Sequence, residues 1–179
     1  MDDAFLMQVR TNAWYIKTFP RDIARELTDY IQSESMKGRR AYSIAKELQE
    51  IYDEKSIARM NLIARTETSK TQTALTQARA ESIGISWYVW RTSEDARVRN
   101  SHEHMEGVLI KWSDPPNPEA LDPNAEQKPY GSYHAGETFN CRCYPEPVVS
   151  LDFLDFPMQV YHSGSIQRMT KAQFENITA

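Results

Sequence analysis

The sequence predicts an α+β fold, with a helical N-terminal half followed by a small mixed domain of short antiparallel strands and long loops. Apolar residues recur at helical spacing as far as Ile83. After Gly84 they give way to short aromatic and β-branched runs separated by proline-rich stretches. We therefore expect a helical region over residues 1–84, a core domain over residues 85–150, and a C-terminal hairpin with a short helix over residues 151–179.

The helical region is expected to contain about four helices, because proline and glycine divide the periodic stretches. Pro20 interrupts the first stretch and Gly38 can end the second. The first helix is defined by Phe5, Val9, Ala13 and Ile16, the second by Ile23, Leu27, Tyr30 and Ile31, and the third, a short one, by Ile44, Leu48 and Ile51.

The fourth helix is the longest, running from an N-cap at Ser56 to Ile83, with Gly84 as a left-handed cap. Leu75 stands alone among small and polar residues in its second half, which predicts packing through small side chains or against a partner. Arg65 and Glu67 on this helix are interpreted as a solvated or domain-bridging pair.

Beyond Gly84 the sequence predicts strands, a loop and a terminal hairpin. Strands are expected at 87–90 and 107–112, and a proline-rich loop without regular structure at 113–133. A hairpin is expected from strands at 159–162 and 165–169 joined by Ser163-Gly164. Thr170 and Gln173 form a capping box that opens a last helix carrying Phe174 and Ile177.

Composition excludes several classes of protein. A net charge of -4 and a pI near 5.6 disfavour a surface built to coat nucleic acid. Weak contact with DNA at the short basic spot Lys37-Gly38-Arg39-Arg40 stays open. No apolar run approaches the ~20 residues that span a bilayer, and Met1-Asp-Asp-Ala does not resemble a signal peptide, so we expect a chain made in the cytosol without membrane contact.

The two cysteines, Cys141 and Cys143, are one residue apart, so in an extended segment both thiols project from the same face. This spacing suits a shared structural Zn²⁺, with His102 as the first additional ligand. His134 and Asp95 are the candidates for a fourth ligand, which would close the site.

His104 is expected on the opposite face of a short helix from His102 and therefore outside this site. The alternative interpretation needs no metal: the cysteines are buried apolar residues, His102 is a hydrogen-bonded core histidine, and Asp95, Arg97 and Arg99 form an ion-pair turn.

The order of these motifs resembles one known family. The motifs are Arg65-Thr-Glu67, Gly84 with Trp87 and Trp90, Asp95-Ala-Arg97-Val-Arg99-Asn-Ser-His102 with Gly107, Pro115-Pro116, Gly136, and Asn140-Cys-Arg-Cys143. They resemble the phage Mu F-like minor head proteins, also called head morphogenesis proteins. The resemblance covers 57–147 and extends more weakly to both sides.

The resemblance implies a low-copy virion protein that joins the phage head during assembly in the host cytoplasm. It implies association with the portal and with capsid or scaffold proteins, at the head interior or portal vertex, and an influence on genome packaging or delivery. The alternative is a metal-dependent nuclease or hydrolase acting on phage DNA, with a catalytic Zn²⁺ on His102, Cys141 and Cys143. The acidic pI and the absence of a motif pairing a nucleophile with a general base favour a structural protein over an enzyme.

Overall fold

A computed structural model describes residues 21–51, 57–124 and 130–178. The helix expected over Phe5–Ile16 and the N-cap expected at Ser56 lie outside these residues. Three helices follow one another in the N-terminal part: α1 (Arg21–Met36), α2 (Ala41–Ile51) and α3 (Ile57–Ser82). They confirm the second, third and fourth helices expected from the periodicity.

The three helices enclose an apolar core of their own. Their inward positions are the apolar ones that recur every three or four residues, so each helix buries one stripe. The core contains Leu27, Ile31, Ile44, Ala45, Leu48, Ile63 and Ala64. Gly38 and Gly84 follow α1 and α3 with φ of +82° and +79°, which confirms both as left-handed helix ends.

The C-terminal part folds into a five-stranded mixed sheet with strand order β3-β1-β2-β4-β5. The strands are β1 (Trp87–Arg91), β2 (Leu109–Lys111), β3 (Tyr144–Pro147), β4 (Met158–His162) and β5 (Ser165–Met169). Together with the helices this sheet confirms the α+β class. One pairing differs from the antiparallel arrangement we expected, because β2 and β4 run parallel. The chain leaves β3 at one edge of the sheet and crosses to the far side of β2, so β4 arrives in the same direction as β2.

Strand β3 was missed by the sequence analysis because two of its four residues are prolines, Pro145 and Pro147. Proline has no N–H for a sheet ladder, so it normally argues against a strand. The structure places β3 at the edge of the sheet, where it pairs only with β1. An edge position tolerates the missing donors, since one side of the strand needs no partner.

The predicted C-terminal hairpin and capping box are both confirmed. Ser163 and Gly164 connect β4 to β5 with φ of +51° and +78°, as a primed two-residue turn requires. The Thr170 N–H donates to Gln173 Oε1 at 2.8 Å and the Gln173 N–H to Thr170 Oγ1 at 3.3 Å. The last helix (Lys171–Thr178) buries Phe174 against the Trp87 ring.

From Thr66 onward α3 packs through small side chains, which is one of the two alternatives that its composition predicted. Thr73 Oγ1 donates to the Ala135 carbonyl at 2.7 Å, and Thr66 Oγ1 accepts from the Asn140 N–H at 2.9 Å. Ala80 belongs to the core beneath the sheet. The long helix therefore joins the helical unit to the sheet domain, and it holds the 135–140 loop by short polar contacts.

Arg65 and Glu67 differ in exposure, so they are not a solvated pair, which was one of our two expectations. Arg65 is exposed, whereas Glu67 is buried and lies 3.7 Å from Lys70 Nζ through Oε1. Burial lowers the pKa of Lys70, and the nearby Glu67 carboxylate opposes that shift.

The proline-rich stretch contains one element that the sequence analysis did not expect. The one-turn helix α5 (Pro118–Leu121) is capped by Asn117, whose side chain accepts from the Ala120 N–H. This turn carries Glu119 into the interior. Within the described ranges, no helix has the length and apolar content needed to cross a membrane.

Candidate metal centre

Two separate segments place a histidine and two cysteines side by side. His102 lies on the one-turn helix α4 (Asn100–Glu103), which precedes β2. Cys141 and Cys143 lie on the segment without regular secondary structure that leads into β3. Because β3 pairs with β1, and β1 with β2, the sheet brings both segments to one place. The three side chains are buried, with exposed fractions of 2% for His102 and 5% for each cysteine.

The three potential ligand atoms converge. His102 Nδ1 lies 3.5 Å from Cys141 Sγ and 3.3 Å from Cys143 Sγ. All three atoms lie within 4.8 Å of one another, and neither cysteine is in a disulfide. The Cys143 N–H approaches Cys141 Sγ at 3.4 Å, a contact that favours a thiolate. The predicted convergence of His102, Cys141 and Cys143 is therefore present in the fold.

A buried hydrogen-bond chain fixes the orientation of the His102 ring. Tyr133 donates its hydroxyl hydrogen to the Glu119 carboxylate, with oxygen distances of 2.7 and 2.8 Å. The Tyr133 oxygen lies 3.0 Å from His102 Nε2, so it is left to accept the Nε2 hydrogen. In that tautomer Nδ1 carries the free lone pair, and it faces the two sulfurs. Metal-binding histidines commonly have such an outer partner on the second nitrogen.

The two thiols share their protons unequally. Hydrogen bonding from Cys143 lowers the pKa of Cys141. The same bond and burial raise the pKa of Cys143. Cys141 is therefore the sulfur that loses its proton more readily, and Cys143 is the one that keeps its proton. A divalent metal bound here would displace the protons that remain on the two thiols.

An unused donor lies next to the sulfurs. Trp90 Nε1 is buried and has no hydrogen-bond partner of normal geometry in the part of the chain that is described. Its ring packs edge-on against His102 at 5.6 Å between centroids, and the indole acts to lower the pKa of Cys143. A buried N–H without a partner is costly, and a metal-bound Cys143 thiolate would offer it an acceptor.

The structure does not bring His134 into this group. His134 Nδ1 lies 3.1 Å from the Tyr88 hydroxyl, and its ring packs against Trp112 at 5.3 Å between centroids. Burial lowers the pKa of His134. Among the described residues the ligand atoms that converge are those of His102, Cys141 and Cys143.

Asp95 and His104 also have other surroundings. Arg142 binds both carboxylate oxygens of Asp95, with Nη2 at 2.6 Å from Oδ1, and the Arg97 N–H donates to Oδ1 at 2.9 Å. Hydrogen bonding from Arg142 lowers the pKa of Asp95 to about 2. His104 ends helix α4 and is exposed while His102 is buried, which agrees with the expected opposite faces.

Tyr133 and Glu119, which orient His102, were not among the predicted site residues. Both fall in the stretch that was expected to be an irregular loop. One signal was available: Asn117-Pro118 is a capping residue followed by proline at the first helical position, which predicts a short helix carrying Glu119. No local sequence pattern predicts that Tyr133 contacts both Glu119 and His102.

A cavity of about 180 Å³ opens over the three ligand residues. Besides His102, Cys141 and Cys143, its wall includes Arg97, Arg99 and Arg142. Arg99 donates to the Phe139 carbonyl at 2.8 Å and stacks on the Phe139 ring. The site is thus a half-open cluster of soft ligands with cationic walls.

The fold and the site define a class: a helical unit joined by one long helix to a mixed-sheet domain that holds a buried cluster of one histidine and two cysteines. The chain belongs to the Phage Mu protein F like family, whose model matches residues 22–145, more than half of the chain. This match supports a phage head morphogenesis protein.

A further similarity is to a protein of a bacterium. The chain is 40% identical over 91 residues to an uncharacterized protein of Haemophilus influenzae. The match covers 51% of this chain and 17% of that protein, so the chain spans less than a fifth of the relative's length. No solved structure matches the chain.

Proposed function

We propose that this protein is a minor head protein of a tailed bacteriophage that joins the capsid during assembly, associates with the portal, and influences genome packaging or delivery. The family match over residues 22–145 is the observation that carries the proposal. It includes both the helical unit and the metal-ligand cluster, so the proposal concerns the two parts together.

We assign contact with the portal or capsid to the helical region. At the connection between α1 and α2, Met36 and Tyr42 are large apolar residues with exposed fractions of 55% and 80%. Between them, Arg39 binds Glu34 at 2.6 Å and Glu47 at 2.7 Å. These ion pairs hold the connection in one conformation, so the two apolar side chains are presented on an ordered surface.

The test is co-sedimentation of the purified chain with portal oligomers of the same phage. Tyr42→Glu should weaken co-sedimentation, because it places a charge in the proposed contact. Phe153→Glu is the matched control, since Phe153 is exposed to a similar 77% but lies in the C-terminal part. Equal loss with both variants would refute the helical surface, and failure of the unchanged protein to co-sediment would refute portal association.

The alternative of a metal-dependent nuclease or hydrolase has one observation in its favour, the cavity beside three potential ligands. Catalytic zinc sites have three protein ligands and an open position. The residues that line the cavity in the described chain include no carboxylate, so none of them is suited to act as a general base there. We therefore favour a structural role. Chelator-sensitive cleavage of DNA by zinc-loaded protein would reverse this choice.

DNA contact at the basic spot is a weaker part of the proposal. Lys37 and Arg39 both bind Glu34, which neutralises part of the charge that would attract phosphates. A binding titration on duplex DNA at two salt concentrations measures the remaining affinity for DNA, and we expect weak, salt-sensitive binding.

A further inference from the structure

The cluster of His102, Cys141 and Cys143 is one ligand short of a closed zinc site. Structural zinc sites are tetrahedral with four protein ligands. The three ligand atoms here lie within 4.8 Å of one another. The two candidates for a fourth ligand that the sequence suggested, His134 and Asp95, are bound to Tyr88 and to Arg142. Among the residues that the structure describes, no further ligand atom converges on these three, so the fourth position is open to an entering group.

The cavity defines what that group can be. Its volume of about 180 Å³ admits a side chain or a chain terminus, and the three ligand residues lie in its wall. The sulfurs and the imidazole are too buried to be reached from other directions, since their exposed fractions are 5% or less. A fourth ligand must therefore enter through this cavity.

The charge of the wall selects an anion. Two thiolates balance a bound Zn²⁺, so the metal with its protein ligands carries no strong net charge. Arg97, Arg99 and Arg142 add three positive charges to the wall, and Asp95 offsets one of them through Arg142. The Arg97 side chain is 77% exposed and makes only a long 3.4 Å contact with Asp95, so its guanidinium can turn to an entering anion.

We propose that His102, Cys141 and Cys143 bind one Zn²⁺ whose fourth ligand is a carboxylate of a protein partner, inserted into the cavity and held there by Arg97. Carboxylate oxygen is an ordinary zinc ligand, and arginine pairs with carboxylate through two parallel hydrogen bonds. A DNA phosphate fits less well, because a duplex cannot enter a recess of this size and the chain as a whole carries a net charge of -4. The inference holds for any acidic protein partner and does not depend on the portal.

The test uses the full 179-residue chain loaded with Co²⁺, whose visible spectrum reports its ligands, and sodium acetate as the carboxylate probe. Acetate should shift the cobalt spectrum saturably, and one equivalent of Zn²⁺ should displace the cobalt. Arg97→Ala should weaken acetate binding about fivefold, the effect of losing one exposed charge pair. Arg168→Ala is the matched control, an exposed arginine on β5 away from the cavity wall, and should leave the acetate affinity unchanged.

Each other outcome overturns part of the proposal. Absence of stoichiometric cobalt and zinc binding by the unchanged chain removes the metal site. A tetrahedral cobalt spectrum that acetate does not alter means that the chain itself supplies the fourth ligand. Inorganic phosphate binding more tightly than acetate at the same ionic strength replaces the carboxylate by a phosphate ligand. Equal acetate affinity in Arg97→Ala and the unchanged chain removes the role of Arg97.

Discussion

Replacing Gly136 by alanine should destabilise the protein and disturb the metal-ligand cluster at the same time. Gly136 has φ of +91°, a conformation that costs a residue with a side chain about 1–2 kcal/mol. A methyl group at this position would lie 2.6 Å from Thr73 Oγ1 and 3.0 Å from the Cys143 carbonyl oxygen. The first contact is shorter than real Cβ atoms tolerate, so the structure must shift.

Neither of the two contacting groups can move away from the added methyl group without a cost in stability. Thr73 Oγ1 is committed to the Ala135 carbonyl at 2.7 Å, so rotating it away loses a buried hydrogen bond. The Cys143 carbonyl is backbone and cannot rotate. Overpacking of this kind costs about 1–3 kcal/mol, which adds to the backbone strain for a total of about 2–5 kcal/mol. Movement of the Cys143 backbone should also weaken zinc binding.

Gly131→Ala is the matched control. Gly131 has φ of +72°, and no atom lies within 4 Å of the position that an added methyl group would take, so this variant meets only the backbone strain. Urea unfolding followed by tryptophan fluorescence should place Gly136→Ala about 1–3 kcal/mol below Gly131→Ala, or about 2–12 °C lower in Tm for a chain of this size. If the two variants were equally stable and bound zinc equally, the close packing of this loop against α3 would be refuted.

Three further predictions concern the metal. Tyr133→Phe should lower zinc affinity about 10- to 100-fold, because the ring of His102 loses the hydroxyl that orients it. Tyr88→Phe is the control: it also removes a buried hydroxyl bonded to a histidine, but it should leave the zinc affinity unchanged. A competition titration measures both affinities. Zinc uptake at pH 7 should release fewer than two protons, because hydrogen bonding from Cys143 lowers the pKa of Cys141. Calorimetry in buffers of different ionisation enthalpy measures the number released, and a release of two full protons would contradict the lowered pKa of Cys141. Removing the metal should increase hydrogen exchange in the sheet domain much more than in α1 and α2, and equal increases in both parts would contradict a site confined to that domain.

The elements that the sequence predicted correctly are those whose signals are local. The helices around Leu27, Ile44 and Ile63 have apolar spacing that is complete within each segment. The Ser163-Gly164 turn and the Thr170 capping box each need only neighbouring residues. Strand β3 was missed because its local signal, two prolines, points away from a strand, and only its place at the sheet edge makes them acceptable.

For the candidate site, too, the sequence predicted what depends on local spacing and did not predict what depends on contacts between distant segments. The spacing of Cys141 and Cys143 predicts two sulfurs on one face, and the fold places His102 against both. His134 was an equally good candidate by residue type, but its surroundings bind it to Tyr88 instead. Asp95 is bound by Arg142, which is 47 positions away in the sequence, so no local pattern predicts this contact.

The sequence by itself determined the helices, the hairpin, the kinship with phage head proteins and the chemical nature of the ligands, because these depend on residue type and on short spacing along the chain. The tertiary structure alone decided which ligands meet, that Tyr133 and Glu119 orient His102, and that a cavity walled by arginines opens over the three. The physical reason is that a binding site is a set of distances between segments that are distant in the chain, and those distances are fixed only when the sheet and the long helix pack together.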